Sequence, residues 1–246
     1  MEMLDPQLVL GAYSVGVFPM ADNREAAGVY WVEPRRRAVL PLDGFRLSRS
    51  LRKTIAADRF RVTVDTAFGD VVQLCAESVE DRPDTWINGG IERVFLTLHA
   101  MGFAHSVECW QAGEDGDRLV GGLYGLALGR AFFGESMVSR ATDASKVALA
   151  HLVARLKVGG FSLLDCQFQT THLASLGAVE IDRADYVALL GDSLAGVVGA
   201  SPGSVSPSFS AGDFGALDRV SGGAASDCVS GPVSGKVIAQ LLVHTS

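Results

Sequence analysis

The fold is decided by residues 118–135, which read RLVGGLYGLALGRAFFGE. This stretch is almost free of charge and is interrupted by Gly129-Arg130, a pair that is typical of a tight turn. It therefore predicts two antiparallel strands, Arg118–Gly129 and Ala131–Glu135. His105–Trp110 predicts a further strand just upstream, so this part of the chain is an antiparallel meander.

Elements on both sides of the meander extend it to a complete domain. Asp143 is expected to cap a helix that ends at Gly159-Gly160, and Ser162–Phe168 is expected to form another strand. A meander followed by a helix and a strand indicates an α+β fold in which the helix packs on a mixed sheet. Upstream, the predicted elements are helices that begin at Asp5-Pro6, Ser48 and Thr66, a helix that ends at Gly102, and a strand at Phe60–Val64.

Three regions are expected along the chain. Residues 1–64 form a small N-terminal domain with a basic segment, and residues 65–190 form the larger catalytic domain. Residues 191–246 are rich in glycine and serine, a composition that is typical of a flexible coil. We expect this tail to be dispensable for catalysis, although the apolar patch near its end can dock as a short helix.

Charge is distributed unevenly over the chain. The 246 residues are 48% hydrophobic and carry a formal net charge of −7, a composition that excludes wholesale disorder. Between Arg35 and Arg61, however, nine basic side chains face only two acidic ones. Such a run is either a solvated basic face or a patch that contacts the phosphates of a nucleic acid.

The compartment and several kinds of site follow from simple patterns. The acidic start of the chain is unlike a signal peptide, no segment has the length of a membrane span, and the cysteines are widely spaced. We therefore expect a soluble, cytoplasmic, monomeric protein with reduced cysteines. The histidines form no metal-binding motif and there is no phosphate-binding P-loop, so neither a metal nor a cofactor is expected.

Candidate chemistry lies in the apolar half of the chain. Asp165 and Gln167 are two positions apart on a predicted strand and share one of its faces. Glu135 is a second carboxylate among apolar neighbours, and buried acids need partners or a cationic ligand. The alternative for Asp165 and Gln167 is an internal hydrogen-bonding role. Trp86 is either a core residue or a platform for a nucleic-acid base.

Ten short motifs, in one order, resemble a known family. The resemblance extends from about Leu8 to Tyr186. The motifs are Phe18-Pro19, Ser48-Arg49-Ser50-Leu51, Thr85-Trp86-Ile87, Leu98-His99, Gly102 to Trp110, Leu119 to Gly125, Phe133-Gly134-Glu135-Ser136-Met137, Ala144-Ser145-Lys146, Asp165-Cys166-Gln167 and His172 to Ala178. This series resembles the leucyl/phenylalanyl-tRNA–protein transferases. Each motif alone is weak, whereas all of them in the family's order are specific.

The resemblance implies a fold, a reaction and a set of residues. The second domain would have a fold like the GCN5-related N-acetyltransferases. The enzyme would transfer Leu or Phe, and to some extent Met, from aminoacyl-tRNA to the N-terminal Arg or Lys of proteins and so mark them for degradation. By position, the catalytic residues would be Asp165, Gln167 and Glu135. Trp86 and Met20 would lie beside the terminal adenosine, and Leu123, Phe132, Leu152 and Leu156 would line the pocket for the transferred side chain. The basic residues that bind tRNA would be Arg49, Arg52 and Lys53.

Two other functions remain open on sequence grounds. An acyl-CoA-dependent N-acetyltransferase would share the fold, but the expected pyrophosphate-binding loop is missing between Glu135 and Lys146. The string that fits that loop, Arg219 to Ala224, lies in the predicted tail with no strand before it. A non-catalytic RNA-binding or adaptor protein would explain the basic segment, but not the combination of Asp165, Gln167 and Glu135.

Overall fold

A computed structural model describes residues 4–77, 85–114, 116–195, 211–221 and 233–243. The strands are β1 Phe18–Met20, β2 Tyr30–Val32, β3 Arg36–Val39, β4 Arg61–Val64, β5 Ala104–Gln111, β6 Arg118–Leu128, β7 Ala131–Ser139, β8 Leu163–Gln167 and β9 Val179–Asp182. The helices are α1 Pro6–Ser14, α2 Arg49–Ala56, α3 Phe68–Ala76, α4 Gly89–Ala100, α5 Ala144–Val158, α6 Thr171–Ser175, α7 Arg183–Leu194, α8 Ala216–Ser221 and α9 Gly235–Leu241, with a 3-10 turn at Leu42–Gly44.

Seven of the strands form one mixed sheet. Their order is β4-β5-β6-β7-β8-β3-β9, and every neighbouring pair is antiparallel except β7 and β8. The predicted meander β5-β6-β7 and the α+β class are therefore confirmed. A separate two-stranded ribbon pairs β1 with β2.

Helices cover both faces of the sheet. The parallel pair β7–β8 requires a long crossover, and α5 provides it. On the face where α5 lies, the buried apolar cluster also includes residues of α2, α8 and α9, for example Ile55, Leu217 and Ile238. The cluster on the opposite face combines residues of α1, α3, α4 and α7.

Short polar contacts fix where helices begin. Asp5 accepts a hydrogen bond from the Gln7 amide, and Ser48 accepts one from the Leu51 amide, so both predicted caps are confirmed. Asp143 directly precedes α5, as predicted, but its side chain makes no capping hydrogen bond. Its backbone is left-handed with a φ of 72°, and its carboxylate lies 2.9 Å from Lys146 Nζ without capping α5.

The sheet and the C-terminal helices modify the expected regions. Residues 36–64 contribute β3 and β4 to the main sheet, so this sheet contains strands from both sides of the expected domain boundary at residue 64. The expectation of a flexible tail is wrong for residues 211–221, which hold α8 with Phe214 and Leu217 buried. Residues 233–243 hold α9 with Ile238 buried, in agreement with the expectation that the apolar patch near the end can dock as a short helix. These apolar side chains pack on the core, which outweighs the polar composition around them. The rest of the predicted tail after residue 195 lies outside the described residues.

In the described part of the chain, every helix is too short or too polar to cross a lipid bilayer.

Candidate active site

The candidate site lies where two neighbouring strands separate. The parallel pairing of β7 with β8 covers Ala131–Phe133 and Leu163–Asp165, after which β7 continues to Ser139 and β8 to Gln167. Glu135 and Gln167 each stand two residues beyond the last pair. The separation of the strands therefore leaves both side chains free to face a common space.

A β-bulge places Glu135 in this space. In the pairing of β6 with β7, Tyr124 lies opposite Ser136 and Gly125 lies opposite Gly134, so Glu135 is the extra residue. Bulges redirect the side chains of a strand and are frequent next to active sites. The bulge lets the Glu135 carboxylate line a cavity in the interior.

Gln167 is held in an unusual backbone conformation. Its φ of 61° is left-handed, and its amide N–H donates to Asp165 Oδ1 at 2.8 Å. Its side-chain Nε2 donates to Glu135 Oε1 at 3.1 Å. Tyr13 OH donates to the same oxygen at 2.8 Å. Gln167 therefore links the two carboxylates that the sequence singled out.

Asp165 belongs to a buried ionic network. Arg37 Nε and Nη2 donate to its two carboxylate oxygens at 2.8 and 2.6 Å, and Tyr186 OH donates to Oδ2 at 2.8 Å. Asp165 and Arg37 are 0% and 1% exposed. Both carboxylate oxygens are thus engaged by the protein itself, which is the internal hydrogen-bonding role considered above.

The Arg37 guanidinium is enclosed as well. It lies between the rings of Phe18 and Tyr186, 4.6 Å from each ring centroid, and its Nη1 donates to the Gly16 carbonyl at 3.0 Å. A buried charge of this kind is tolerated because it is paired and hydrogen-bonded.

The Glu135 carboxyl is much less satisfied than Asp165. Within the described residues its Oε2 atom is buried without a hydrogen-bond partner, and so is the hydroxyl of Tyr124, which lines the same cavity. Burial raises the pKa of Glu135 from its ordinary value of 4.5 to about 8, although hydrogen bonds from Tyr13 and Gln167 oppose the rise. Glu135 can therefore exchange a proton near neutral pH.

The cavity beside Glu135 has a volume of about 260 Å³ and a largely apolar wall. Of the predicted pocket and adenosine residues, Trp86, Leu123 and Leu152 line it, whereas Met20, Phe132 and Leu156 do not. Phe132 and Leu156 are 0% exposed and pack in the core instead. The additional apolar lining residues are Met137, Leu149, Leu164, Cys166, Phe168 and Leu173.

Met20 and Trp86 are neighbours at the edge of this site. The amide of Ala21, which follows Met20, donates to the Trp86 carbonyl at 3.1 Å. Both side chains are half-buried and pack against the same apolar cluster. Trp86 thus presents part of its ring to the cavity.

The predicted tRNA-binding residues lie on one helix. Arg49, Arg52 and Lys53 are exposed on α2, whose opposite side buries Leu51 and Ile55. The helix therefore presents positive charge to solvent.

Three residues of the site were not predicted from the sequence: Tyr13, Arg37 and Tyr186. Arg37 belongs to the basic run that was expected to be either a solvated face or a phosphate-binding patch, yet it directly precedes the apolar run Ala38-Val39-Leu40. That apolar run indicates that a buried strand starts here, and Arg37 is buried as part of the strand. Tyr13 lies on α1 and Tyr186 lies on α7, and no local sequence pattern marks either residue as part of the site.

Comparison with known proteins gives a consistent result. The family described as leucyl/phenylalanyl-tRNA protein transferase matches residues 39–191, and the N-terminal domain of that family matches residues 2–35. A leucyl/phenylalanyl-tRNA–protein transferase of Rhizorhabdus wittichii is 60% identical over all of both chains. One of Zymomonas mobilis is 63% identical over 75% of this chain and 68% of its own length.

The chain is also similar to a solved structure, the crystal structure of FemX, with 10% sequence identity and a TM-score of 0.46. The match covers 71% of this chain and 66% of the FemX chain, and it is too weak to add to the argument. The matched families, by contrast, span nearly the whole region that holds the sheet and the cavity. The chain belongs to the leucyl/phenylalanyl-tRNA protein transferase family and is an aminoacyltransferase that acts on aminoacyl-tRNA and protein substrates.

Proposed function

We propose that this enzyme transfers Leu or Phe, and to a lesser extent Met, from aminoacyl-tRNA to the α-amine of an N-terminal Arg or Lys. The modified protein would then be a substrate for degradation through its new N-terminus. The observation that carries the proposal is the unpartnered Glu135 Oε2 atom, buried in the wall of an apolar cavity. A carboxylate so placed suits a cationic amine that arrives beside an apolar side chain.

The cavity would hold the side chain that is transferred. Leu123, Leu149 and Leu152 line it without offering a hydrogen bond from their side chains. A pocket of this chemistry distinguishes side chains that differ by one methylene by only about 1–3 kcal/mol. Leu, Phe and Met are therefore all accepted, with different efficiencies. Phe132 and Leu156 have no part in this proposal, since they do not line the cavity.

The reaction needs an amine, an activated ester and a proton acceptor. The acceptor α-amine has an ordinary pKa of roughly 7.7–8.0. Its nitrogen attacks the ester carbonyl, the new C–N bond forms, and the bond from that carbonyl to the ribose oxygen breaks. The ionised form of Glu135 takes the proton that the amine loses and returns it to the ribose oxygen, which leaves as a hydroxyl.

Gln167 would orient the amine rather than remove its proton. An amide oxygen accepts hydrogen bonds but is not a base, and Nε2 of Gln167 already donates a hydrogen bond to Glu135. The remaining Oε1 atom can accept a hydrogen bond from the attacking amine. Alignment of amine and ester in this way is a large part of the rate enhancement available to such a reaction.

Asp165 would act through Gln167 and is a positioning residue. Its oxygens are engaged by Arg37, Tyr186 and the Gln167 amide, so it has no free atom for substrate. It keeps Gln167 in the left-handed conformation that directs the amide towards Glu135.

The tRNA would be bound outside the cavity. Arg49, Arg52 and Lys53 on α2 would contact its phosphates, and Trp86, with Met20 beside it, would lie against the terminal adenosine. The enzyme would act as a monomer in the cytoplasm, where aminoacyl-tRNA is present, and the reaction as written requires no metal or cofactor.

The decisive experiment supplies three labelled donors to the enzyme: Leu-tRNA, Phe-tRNA and acetyl-CoA. The acceptors are a peptide that begins with Arg, the same peptide with an acetylated α-amine, and one that begins with Asp. We expect label from either tRNA on the free Arg peptide alone. Transfer from acetyl-CoA would indicate the acetyltransferase instead, and no transfer with retained tRNA binding would indicate an adaptor.

A further inference from the structure

The C-terminal helix α9 packs against the basic helix α2. Ile238 and Leu242 are 0% and 7% exposed, and they belong to the same apolar cluster as Leu51 and Ile55 of α2. Part of the segment expected to be flexible therefore forms the surface on which α2 rests.

The contact between the two helices is unusually close at Gly235. A Cβ atom at this position would lie 1.8 Å from the carbonyl oxygen of Ile55, which no real side chain allows. The Gly235 amide also donates to Asp58 Oδ1 at 2.6 Å, in the turn that follows α2. The start of α9 is thus joined to the end of α2 by backbone contacts that require glycine.

The two faces of α2 have different tasks. The inner face, with Leu51 and Ile55, contacts α9 and the core, while the outer face presents Arg49, Arg52 and Lys53. An eight-residue helix is marginal by itself, so its position depends on what packs behind it. Displacement of α9 would consequently move these charges, while α9 itself contributes no residue to the lining of the cavity.

We propose that α9 positions the basic helix α2 for tRNA, which makes residues 233–243 part of the tRNA-binding machinery. The inference rests on the proposed function, in which α2 contacts the tRNA. It also limits the earlier expectation about the tail: the segment is dispensable for chemistry at Glu135 but is required for productive binding of the whole tRNA.

The test uses two variants of α9 in the full-length chain, each with a matched control. Gly235→Ala separates the two helices, and its control Gly191→Ala adds a methyl group in α7 where no other atom lies within 4 Å. Ile238→Ala removes a buried contact, and its control Val237→Ala truncates an exposed side chain of the same helix. Ile238→Ala is the milder change and keeps the test valid if Gly235→Ala fails to fold.

Each protein is assayed with two donors, Leu-tRNA and leucine esterified to adenosine alone. We expect both α9 variants to raise KM for Leu-tRNA by about tenfold. The slope of the logarithm of tRNA affinity against the logarithm of salt concentration should decrease by roughly the contribution of one phosphate contact. Their kcat with Leu-tRNA, and both constants with leucyl-adenosine, should match those of the controls.

Equal loss with both donors would overturn the proposal, because α9 would then support the whole fold. Unchanged KM for Leu-tRNA in both variants would overturn it as well. A third protein, with Arg49, Arg52 and Lys53 all replaced by Ala, separates this failure from failure of the proposed function. If that protein binds tRNA like the wild type, α2 is not the tRNA-binding surface.

Discussion

Asp165 and Glu135 are buried carboxylates on adjacent strands, yet their surroundings differ in one respect. Both oxygens of Asp165 accept hydrogen bonds, from Arg37, Tyr186 and the Gln167 amide. Glu135 has donors at Oε1 only, and within the described residues Oε2 has none. The region around Asp165 is complete without substrate, while the region around Glu135 is incomplete.

The difference separates structural from chemical roles. A carboxylate whose partners are all supplied by the protein stabilises the fold and has nothing left to offer a ligand. A carboxyl group whose pKa is raised by burial to about 8, with one oxygen unpartnered, is in its ionised form a base strong enough to accept a proton from a substrate amine. Changes around Asp165 should therefore affect stability first, and changes around Glu135 should affect transfer first.

The largest effect is expected for Arg37→Met, which leaves Asp165 charged, buried and without its cation. We expect the free energy of unfolding to fall by about 3–5 kcal/mol, measured by urea denaturation. The matched control is Arg36→Met, which removes exposed ion pairs to Glu180 and Asp182 and should cost below about 1 kcal/mol. Similar losses for the two arginines would contradict the assignment, and adding Asp165→Asn to Arg37→Met should recover part of the loss.

Glu135→Gln should produce the opposite pattern. The amide keeps an oxygen to accept from Tyr13 and Gln167 but cannot take a proton, so we expect single-turnover transfer from Leu-tRNA to slow by about 100-fold or more. Stability at pH 7 should not decrease. Glu25→Gln, at an exposed position, serves as the control. A Glu135→Gln enzyme of normal rate would show that another group accepts the proton.

A smaller effect is expected for two tyrosines that each donate to one of the carboxylates. Tyr186→Phe removes a hydrogen bond to the ionised Asp165 and should lower the free energy of unfolding by about 1.5 kcal/mol with little change in the pH profile of transfer. Tyr13→Phe removes a bond that lowers the pKa of Glu135, so the rising limb of that profile should move to higher pH. If Tyr186→Phe shifts the profile as far as Tyr13→Phe does, the separation of roles is wrong.

A further effect concerns stability as a function of pH. Burial raises the pKa of Glu135 from 4.5 to about 8, so between these values the folded protein holds a proton that the unfolded chain releases. Stability from this group is complete below pH 4.5 and is lost as the pH rises towards 8. The Tm of Glu135→Gln, relative to wild type, should therefore rise from pH 5 to 8 and then level off. A constant difference would contradict the raised pKa.

Much of the fold could be predicted because its signals are local. The apolar runs of β6 and β7, the glycine at their turn, and the caps at Asp5 and Ser48 each depend on a few consecutive residues. The capping hydrogen bond expected at Asp143 is absent because the residue adopts a left-handed backbone there, which its type permits but does not announce. Helix α8 was missed because isolated apolar residues in a polar stretch give no periodic pattern. Helix α9, by contrast, lies in the apolar patch that was expected to dock as a short helix.

Some residues of the candidate site could be named from the sequence, but the contacts that connect them could not. The resemblance placed Asp165, Gln167 and Glu135 together, but Arg37 is 128 residues from Asp165 and meets it only through the pairing of β3 with β8. No local spacing reveals such a contact. The roles within the group depend on which oxygens are already occupied, and that is a property of the packed interior.

The bulge at Glu135 also has a consequence for the kinds of genetic change that β7 can tolerate. The strand carries one residue more than its partner, so the side chains after the bulge face the sides opposite to those they would have in a regular strand. A codon deletion at Ser136 would leave Met137 and Val138 opposite Leu123 and Gly122, but it would place Glu135 in a regular pair with Tyr124 and so turn its carboxylate away from its present direction. A change of length at the bulge therefore alters the site in a way that a substitution elsewhere along the strand does not.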